Sequence, residues 1–512
     1  MEVLPEVIGQ SGLLTAPAQR LAAQSVAIGS TRPAPAPPLR TVLRYITFAW
    51  IFGSVWQMTV TSEPVTLFAQ KLGASNFQFG LLTALPFIAS LLSVVGSVLV
   101  ELTGQRKSLF LSAFYPQRAM WLVIGIVPLW IITRGGWSAA PQSLSLFLWM
   151  VFAMYAVGCI GGPAWTCWMA DVVPPRINGK YFSRRRQLGN LTAIPAAIFV
   201  GFFLDRISAA DSLSTLRWCA ILFIACAFCG LADIHLFSYV PAVSRKPADP
   251  ARVLRNFKSP LTDRPFLLFS TYTGILTFAN NLLGQFATLF LLERAGASNM
   301  ATQLIVVVAP MIGQILVLGI WGRAADRTGK KPLLAIASAG LIPVALAWCL
   351  VGPGTLWLGC ILSGLGAALW AAVEVSNLNL ILEKGRSQGH DGGSSFVAVN
   401  TVIINLAGCL GGLAAGGIAQ VLGNWHWRPL EAMREVNFYD VLFVACAVVR
   451  LAAAVAILPA LKDRGARSIG EAVTFILNAF AIRSKVNRDH QKFGCNNQAI
   501  CVISAENTRK AA

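Results

Sequence analysis

Charged residues are scarce in this chain of 512 residues, at 12% of the total, against roughly 25% in ordinary globular proteins. Acidic residues are scarcer still, with 22 Asp and Glu against 41 Lys and Arg, and there are only 4 His. Hydrophobic residues make up 55% of the chain, and the mean hydropathy is +0.63. So much apolar surface excludes a set of soluble domains, and it excludes disorder over most of the chain.

Several chemical signatures are also missing. The sequence contains no HExxH and no GxSxG motif, and the segment that ends in Gly329-Lys330-Lys331 departs from a phosphate-binding loop in its glycine spacing. Most of the cysteines lie inside apolar runs, where they pack as small hydrophobes. The lone CxxC pair, Cys226 and Cys229, has no second pair to complete a zinc site. We therefore expect no enzymatic activity, no cofactor and no bound metal.

Long apolar runs are the main feature that is present. A helix needs about 20 apolar residues to cross a bilayer core, and twelve runs of about that length occur, six on each side of a polar break. They are residues 42–62, 78–100, 109–132, 145–169, 187–205, 217–241, 266–290, 301–322, 333–352, 356–382, 396–422 and 438–460. The sequence therefore predicts an all-α polytopic membrane protein with 12 transmembrane helices in two six-helix bundles.

Composition divides the chain into five segments. They are a disordered N-terminal tail (1–41), a first six-helix bundle (42–241), a basic linker (242–265), a second six-helix bundle (266–460) and a C-terminal tail (461–512). Residues 469–482 of the second tail are apolar but too short to span a membrane between charged ends. We expect this stretch to form an amphipathic helix on the membrane surface.

Basic residues are distributed unevenly between alternate connections. If the N-terminus is cytosolic, most Lys and Arg fall in cytosolic segments. The outer loops then hold only Lys71, Arg134, Arg206, Arg217, Arg294, Arg428 and Arg434. Because cytosolic loops carry the excess of positive charge, we expect both termini and the linker in the cytosol, in the inner (plasma) membrane of a cell. This distribution accounts for most of the net charge of +19, so we expect lipid bilayer and no nucleic acid as a partner.

A short motif recurs at the same place in both halves. At the end of the second run and just beyond it lie Gly96, Glu101, Gly104, Arg106 and Lys107, and at the end of the eighth and just beyond it lie Gly322, Asp326, Arg327, Gly329, Lys330 and Lys331. An offset of 225 residues superposes Glu101 on Asp326 and Gly104 on Gly329. With the twelve spans and their division into six and six, this motif resembles the loop signature of the major facilitator superfamily, G-x-x-x-D-R-x-G-R-R/K. The resemblance covers roughly residues 42–460, although the first copy has Glu in place of Asp and its first glycine one position early.

This resemblance implies a function. Members of the superfamily are secondary transporters, so we expect alternating access that moves a small organic solute, driven by an ion gradient such as protons or by the solute's own gradient. The two loop motifs are implied to bridge the bundles on the cytosolic side and to favour one access state. We expect a monomer. The rival hypothesis is a transport-inactive scaffold that uses the same fold in membrane assembly.

Polar side chains recur at steps of three and four along several predicted helices, which places them on one helical face. In a membrane such residues usually face protein or a water-filled cavity, and the resemblance implies that helices 1, 4, 7 and 10 line the central cavity. The candidate cavity residues are Trp50, Ser54, Gln57, Arg118, Tyr155, Thr277, Asn280, Asn281, Gln285, Trp370, Glu374 and Asn377. Hydrogen bonding between helices is the alternative for each stripe, and a buried ion pair is the alternative for Arg118.

Glu374 is the only acid well inside one of these stripes. The sequence predicts that it takes up a proton or pairs with a cationic solute or with Arg118, and burial for packing alone is the alternative.

Three stripes of small residues predict close approach between helices. They are Gly408, Gly412 and Gly416 in the eleventh run, Ala193, Ala197 and Gly201 in the fifth, and Ala89, Ser93 and Ser97 in the second. The resemblance places helices 2, 5, 8 and 11 between the bundles.

Overall fold

The computed structural model describes residues 38–60, 63–174, 177–208, 211–243, 258–387, 393–423, 425–427, 435–461 and 467–478. Over these residues the protein is almost entirely helical, and one isolated backbone bridge joins Trp427 to Val436. The long helices are named α1 to α12 in chain order, and a short helix in the C-terminal tail is α13. Their bounds are α1 Leu39–Val60, α2 Asn76–Thr103, α3 Arg106–Gly135, α4 Trp137–Val172, α5 Asn178–Ser208, α6 Ser212–Ser238, α7 Arg264–Arg294, α8 299–328, α9 Lys330–Leu350, α10 Leu356–Ser387, α11 Gly393–Leu422, α12 Phe438–Ala460 and α13 Ile469–Asn478. One short helix, Glu63–Lys71, follows α1, and another, Lys258–Thr262, precedes α7.

Eleven helices in the described part of the chain are long and apolar enough to cross a membrane. They coincide with eleven of the twelve predicted spans. The remaining prediction, residues 42–62, corresponds to the 22-residue α1, which is not among the eleven. Polar side chains such as Thr47 and Gln57, together with Arg40 and Arg44, lower the mean hydropathy of α1.

Capping residues define several helix starts. Ser75, Asp211, Ser298 and Asn437 each accept a hydrogen bond from a backbone N–H in the first turn of the helix that follows. These side chains satisfy donors that the helix itself leaves without partners, so the local sequence explains where α2, α6, α8 and α12 begin.

The two loop motifs turn at glycines. Gly104 ends α2 with a φ of +64°, and Gly329 ends α8 with a φ of +89°. Residues with a Cβ rarely adopt such angles. The corresponding glycines of the repeat therefore permit a tight turn at both places.

Several helices are interrupted. The first half of α2 ends at Ser90 and the second begins at Ser93, and α7 is unwound over residues 282–285. Both α7 and α8 also contain a π-helical segment, Phe290–Arg294 and Leu304–Val308. Interruptions of this kind in membrane helices frequently occur at functional sites.

The helices form two bundles, α1–α6 (the N bundle) and α7–α12 (the C bundle). In the N bundle α1 packs against α5 and α6, and α3 packs against α4. In the C bundle α7 packs against α11, α8 against α10, and α9 against α10 and α12. The bundles meet where α2 packs against α11 and where α5 packs against α8. This agrees with the expectation that helices 2, 5, 8 and 11 lie between the bundles.

Among the described residues, the closest backbone contacts between the bundles lie toward one end of the molecule. We call the end with the two loop motifs the basic end and the other the opposite end. Gly80 in the first half of α2 lies against Gly412 and Gly416 of α11, where an added Cβ on Gly80 would come within 2.6 Å of their backbone atoms. The second half of α2 packs instead against α4 of its own bundle. The structure is therefore the conformation closed at the opposite end.

The predicted tails and linker are described only in part. Residues 1–37, 244–257, 462–466 and 479–512 lie outside the described residues, so the predicted disorder of the N-terminal tail stays a prediction. Helix α13 falls within the predicted stretch 469–482 and packs against the C bundle through Ala472 and Ile476. Its Ile469 and Leu477 side chains are exposed, and their location at a membrane surface stays a prediction.

Candidate functional site

A cavity of about 340 Å³ lies between the two bundles toward the opposite end. Met58 and Glu63 line it from the N bundle, and the unwound part of α7 and the π-helical part of α8 line it from the C bundle. The lining residues of the C bundle are Gly284, Gln285, Thr288, Thr302, Gln303, Val306, Val307, Pro310, Met311 and Gln314. A volume of this size with mixed apolar and polar walls is typical of a site for a small organic molecule.

The break in α7 forms one wall of the cavity. The backbone N–H of Gln285 donates to Oγ1 of Thr83 at 3.1 Å, and the hydroxyl of Thr66 donates to Oε1 of Gln285 at 2.6 Å. Gly284 has a φ of +25°, and an added Cβ there would lie 2.4 Å from Cγ2 of Thr83. Since Thr66 and Thr83 belong to the N bundle, the unwound segment both lines the cavity and joins the bundles.

The start of α8 forms a second join. Oδ1 of Asp205 on α5 accepts bonds from the backbone N–H of Asn299 at 2.6 Å and from its side-chain amide at 2.9 Å. Oδ2 accepts a bond from the backbone N–H of Met300 at 3.2 Å. A carboxylate is favoured there, because the first N–H groups of a helix have no partner within the helix. Gly201 allows this approach, since an added Cβ would lie 2.8 Å from Cα of Met300.

Glu63 is the one carboxylate in the described lining of the cavity. It is the first residue of the short helix that follows α1 and is only 3% exposed. Neither of its carboxylate oxygens has a hydrogen-bond partner among the described residues. Burial, and then the nearby negative charge of Asp205, raise the pKa of Glu63 to about 9.

The sequence analysis missed Glu63. Its position is one residue beyond the end of the first apolar run, outside the polar stripe that the sequence indicates on α1. The available signal was an acid directly after the face that carries Trp50, Ser54 and Gln57.

Of the predicted cavity residues, Gln285 lines this cavity. In the N bundle, Trp50 instead lies against Arg185, whose guanidinium carbon is 4.5 Å from the ring centroid. Oγ of Ser54 is 2.6 Å from Oγ1 of Thr192 on α5. Tyr155 packs against the hydrophobic core, and Gln57 is half-buried. Trp50 and Ser54 therefore both contact α5 of their own bundle.

On α7 the predicted polar stripe makes local bonds. Oγ1 of Thr277 donates to the carbonyl of Thr273, and Nδ2 of Asn281 donates to the carbonyl of Thr277, both at 2.9 Å. Oδ1 of Asn280 accepts a bond from Arg450 of α12 at 3.1 Å. These three candidates thus contact their own bundle and do not line the cavity described above.

On α10 the predicted stripe lies away from that cavity. Trp370 and Asn377 are half-buried, and Glu374 is exposed. Arg186 of α5 contributes a positive charge to the surroundings of Glu374 from across the bundle interface. Glu374 therefore faces the N bundle from the part of α10 nearer the basic end.

Arg118 does not contact the cavity. Its Nη2 donates to Oδ2 of Asp233 on α6 at 3.2 Å, and its guanidinium carbon lies 3.4 Å from the ring centroid of Trp56. Both charged side chains are buried. Arg118 therefore pairs with an acid of its own bundle and not with Glu374, and contact between Arg118 and the solute stays a prediction. The alternative, a buried ion pair, is what the structure contains.

The first loop motif bonds within the N bundle. Arg106 forms an ion pair with Asp171 of α4, and Nζ of Lys107 donates to the carbonyls of Ser238 and Val240 at 2.6 and 2.7 Å. Gly96 lies against α4, where an added Cβ would be 2.1 Å from the carbonyl oxygen of Ile160. Glu101 is half-buried near the end of α2.

The second loop motif bonds within the C bundle and with the tail. Lys330 forms an ion pair with Glu383 of α10, and Nζ of Lys331 donates to the carbonyl of Pro459 at 3.0 Å. The guanidinium carbon of Arg327 lies 5.1 Å from the ring of Phe475 in α13. Gly322 has open space at its Cα. The side chain of Asp326 lies outside the described residues, so the implied bridging role of this motif stays a prediction.

Comparisons with known proteins agree with this architecture. The crystal structure of a mutant of nucleoside transporter NupG has a TM-score of 0.60 and 13% sequence identity, over 83% of this chain and 100% of that chain. The D-xylose-proton symporter has a TM-score of 0.53 and 15% identity, over 80% and 96% of the two chains. A bacterial homologue of the human drug peptide transporters PepT1 and PepT2 has a TM-score of 0.54 and 12% identity, over 83% and 98%. At these identities the likeness establishes the fold alone. No curated protein sequence matches this chain.

The fold is thus that of helical, multi-pass membrane transporters with two bundles. A family model of the Major Facilitator Superfamily matches residues 46–390. The chain therefore belongs to the Major Facilitator Superfamily, which confirms the expectation from the loop motifs.

Proposed function

We propose that the protein moves a small organic solute across a membrane by alternating access, with the cavity around Glu63 and Gln285 as the solute site. The observation that carries this proposal is the position of the cavity. It lies between the two bundles, directly beneath the contacts that join them at the opposite end. A site there changes its access when the bundles rock about it.

The orientation and the gate belong to the same proposal. The basic end faces the cytosol of a cell whose inner membrane holds the protein, because Lys and Arg are concentrated at that end. In the alternate state the two loop motifs come together and their charges, including Glu101 and Asp326, bridge the bundles. The energy comes from a proton gradient or from the solute's own gradient.

Counterflow in reconstituted liposomes tests transport directly. A metabolite library is first screened for compounds that raise the thermal unfolding midpoint of the purified protein, and each hit is then tested for exchange across the liposome membrane. Val307→Trp should abolish exchange, because the larger side chain fills the cavity that Val307 lines. Val455→Trp on the exposed surface of α12 is the matched control and should transport normally.

The result also separates transport from a scaffold function. Binding without exchange for every hit, in protein of normal stability, would refute transport and leave the inactive scaffold. Equal exchange by the Val307→Trp and Val455→Trp variants would mean that the solute uses another path.

A further inference from the structure

Glu63 is a buried acid whose partner is missing from the described protein. Both carboxylate oxygens are shielded from solvent and neither accepts a hydrogen bond from a described residue. An uncompensated buried carboxylate costs several kcal/mol, and buried polar groups in native proteins nearly always have a partner. A ligand that enters the cavity is the group in position to supply it.

The chemistry of the other walls limits what that ligand is. Thr288 and Thr302 contribute hydroxyls, and Oγ1 of Thr302 is also buried without a partner among the described residues. Met58 and Met311 contribute polarisable apolar surface. The described lining contains no Lys, Arg or His. The cavity therefore has one acid, no base to neutralise it, and walls suited to alkyl or aromatic groups.

We propose, building on the transport function proposed above, that the solute carries one positively charged ammonium group that pairs with the carboxylate of Glu63. A neutral or anionic solute supplies no counter-charge, so Glu63 would stay in its protonated, uncharged form with no partner among the described residues. A cation satisfies it and is held by its apolar part against the methionine and valine side chains of the cavity.

The raised pKa of Glu63 couples the binding of the cation to the release of a proton. The titratable groups that interact with Glu63 are Asp205 on α5 and Cys219 on α6, and Lys71 at the far end of the short helix acts on Cys219. With a pKa raised to about 9 by burial and by Asp205, Glu63 holds a proton at neutral pH in the empty site. When the cation binds, the carboxyl O–H bond breaks, the proton leaves to water, and the carboxylate pairs with the ammonium. One positive charge enters as one leaves.

The affinity for the cation should rise with pH. Only the deprotonated carboxylate pairs with the cation, and below the pKa its fraction rises about tenfold for each pH unit. For a cation that does not itself titrate, the apparent affinity should rise about tenfold between pH 6 and pH 7 and again between pH 7 and pH 8.

Binding of permanent cations tests the proposal. The probes are tetramethylammonium, choline and benzyltrimethylammonium, with 3,3-dimethylbutan-1-ol as the neutral isostere of choline. We expect at least one cation to bind the full-length protein in detergent at least tenfold more tightly than the neutral isostere, with the pH dependence given above. In weakly buffered solution near pH 7, binding should release about one proton for each cation bound.

Two variants identify the residue responsible. Glu63→Gln keeps the shape of the protonated acid, so it should fold normally, lose at least tenfold in cation affinity at pH 8 and lose the proton release. Glu471→Gln, which removes an exposed acid in α13, should bind like the parent protein.

The outcomes separate this inference from the transport proposal. Failure of every cation to bind in a Glu63-dependent way overturns the inference, and so does transport of a neutral or anionic solute that is unaffected by Glu63→Gln. Both results leave transport itself standing. Glu63-dependent cation binding without exchange in liposomes would support the site and overturn transport.

Discussion

Both bundles contain buried arginines, and Arg118 in the N bundle is stabilised differently from Arg450 in the C bundle. Arg118 pairs with Asp233 and stacks on Trp56, whereas Arg450 donates to the carbonyl of Leu341 at 2.9 Å and to Asn280. A guanidinium can be buried in this way because its flat, weakly hydrated group makes several directed bonds and stacks on aromatic rings. Both arginines therefore hold helices of one bundle together.

The ion pair of Arg118 and Asp233 leads to a prediction about stability. Asp233→Asn should lower the free energy of unfolding by about 3–5 kcal/mol, because it leaves a buried guanidinium without its counter-charge. Thermal unfolding in detergent measures the loss. The double variant Arg118→Leu with Asp233→Leu should recover most of it, since removal of both charges also removes the cost of burying them.

An exposed pair provides the control for that experiment. Arg467 and Glu471 are 3.5 Å apart and solvent-exposed, so Glu471→Gln should cost only about 0.3–0.5 kcal/mol. If Asp233→Asn costs no more than this control, the buried pair is not a stabilising element of the N bundle.

A second residue-scale prediction concerns Glu374. Its exposed carboxylate faces the positive charge of Arg186 across the bundle interface. We expect Glu374→Gln to slow transport by weakening this attraction, without changing the pH dependence of solute binding. Counterflow and pH-driven accumulation in liposomes measure the two effects. Loss of pH-driven accumulation with exchange intact would instead make Glu374 the proton carrier, which is one of the roles that the sequence allows.

At the scale of single helices, glycine contacts hold the opposite end closed. Gly80 of α2 lies against the backbone of Gly412 and Gly416, and Gly408 lies against Phe87 of α2. Helix backbones approach this closely only where side chains are absent. The stripe of α11 that the sequence singles out therefore belongs to the contact between the bundles.

This contact predicts the effect of one added methyl group. Gly80→Ala should disfavour the closed state by about 1–3 kcal/mol, the usual cost of overpacking, which changes the ratio of the two access states about 5- to 150-fold. Spin labels at Ser138→Cys and Gly354→Cys, on different bundles, report the distance across the opposite end. We expect a larger population at long distance.

Gly417→Ala is the matched control. Gly417 lies on α11 beside Gly416, and an added Cβ there would meet no other atom within 4 Å. The spin-label distances in the Gly417→Ala variant should therefore match those in the parent protein. Identical distributions for Gly80→Ala and Gly417→Ala would show that the glycine contact does not determine which state is populated.

At the scale of the whole molecule, the two bundles repeat one plan with different details. The loop motifs recur after α2 and α8, each turning at a glycine with positive φ. The cavity is less symmetric, since its described lining comes mostly from α7 and α8. The repeated parts accord with a shared folding plan, and the unshared parts with a site for one particular solute.

The orientation of the molecule provides the last prediction. The linker position Pro247 lies outside the described residues, and the distribution of basic charge predicts that it faces the cytosol. In a variant without native cysteines, Pro247→Cys should react with an impermeant thiol reagent only after the cells are permeabilised. Ser138→Cys, at the opposite end, should react in intact cells. The reverse pattern would invert the assigned topology.

The sequence by itself determined the class of the protein, its helices and its family. A run of about 20 apolar residues predicts a spanning helix, and the distribution of Lys and Arg predicts its orientation. Both features, like the repeated loop motif, are local in the sequence and can be recognised without the fold. The stripe of glycines in α11 also predicted a close contact correctly, because absent side chains favour approach by any neighbouring helix.

Only the tertiary structure decided which groups meet. Periodicity shows that Trp50 and Ser54 share a face, but it does not show that α5 covers that face. Arg118 became a candidate because it is a charge inside a predicted span, and the sequence contains no information on its distance to Asp233, 115 residues away in the chain. The sequence does not single out Glu63, because it follows the apolar run. Its burial comes from the packing of α5, α6 and α8 around the short helix that begins at Glu63. Burial and pairing depend on neighbours that are distant in sequence, and those neighbours are determined only when the bundles fold and meet.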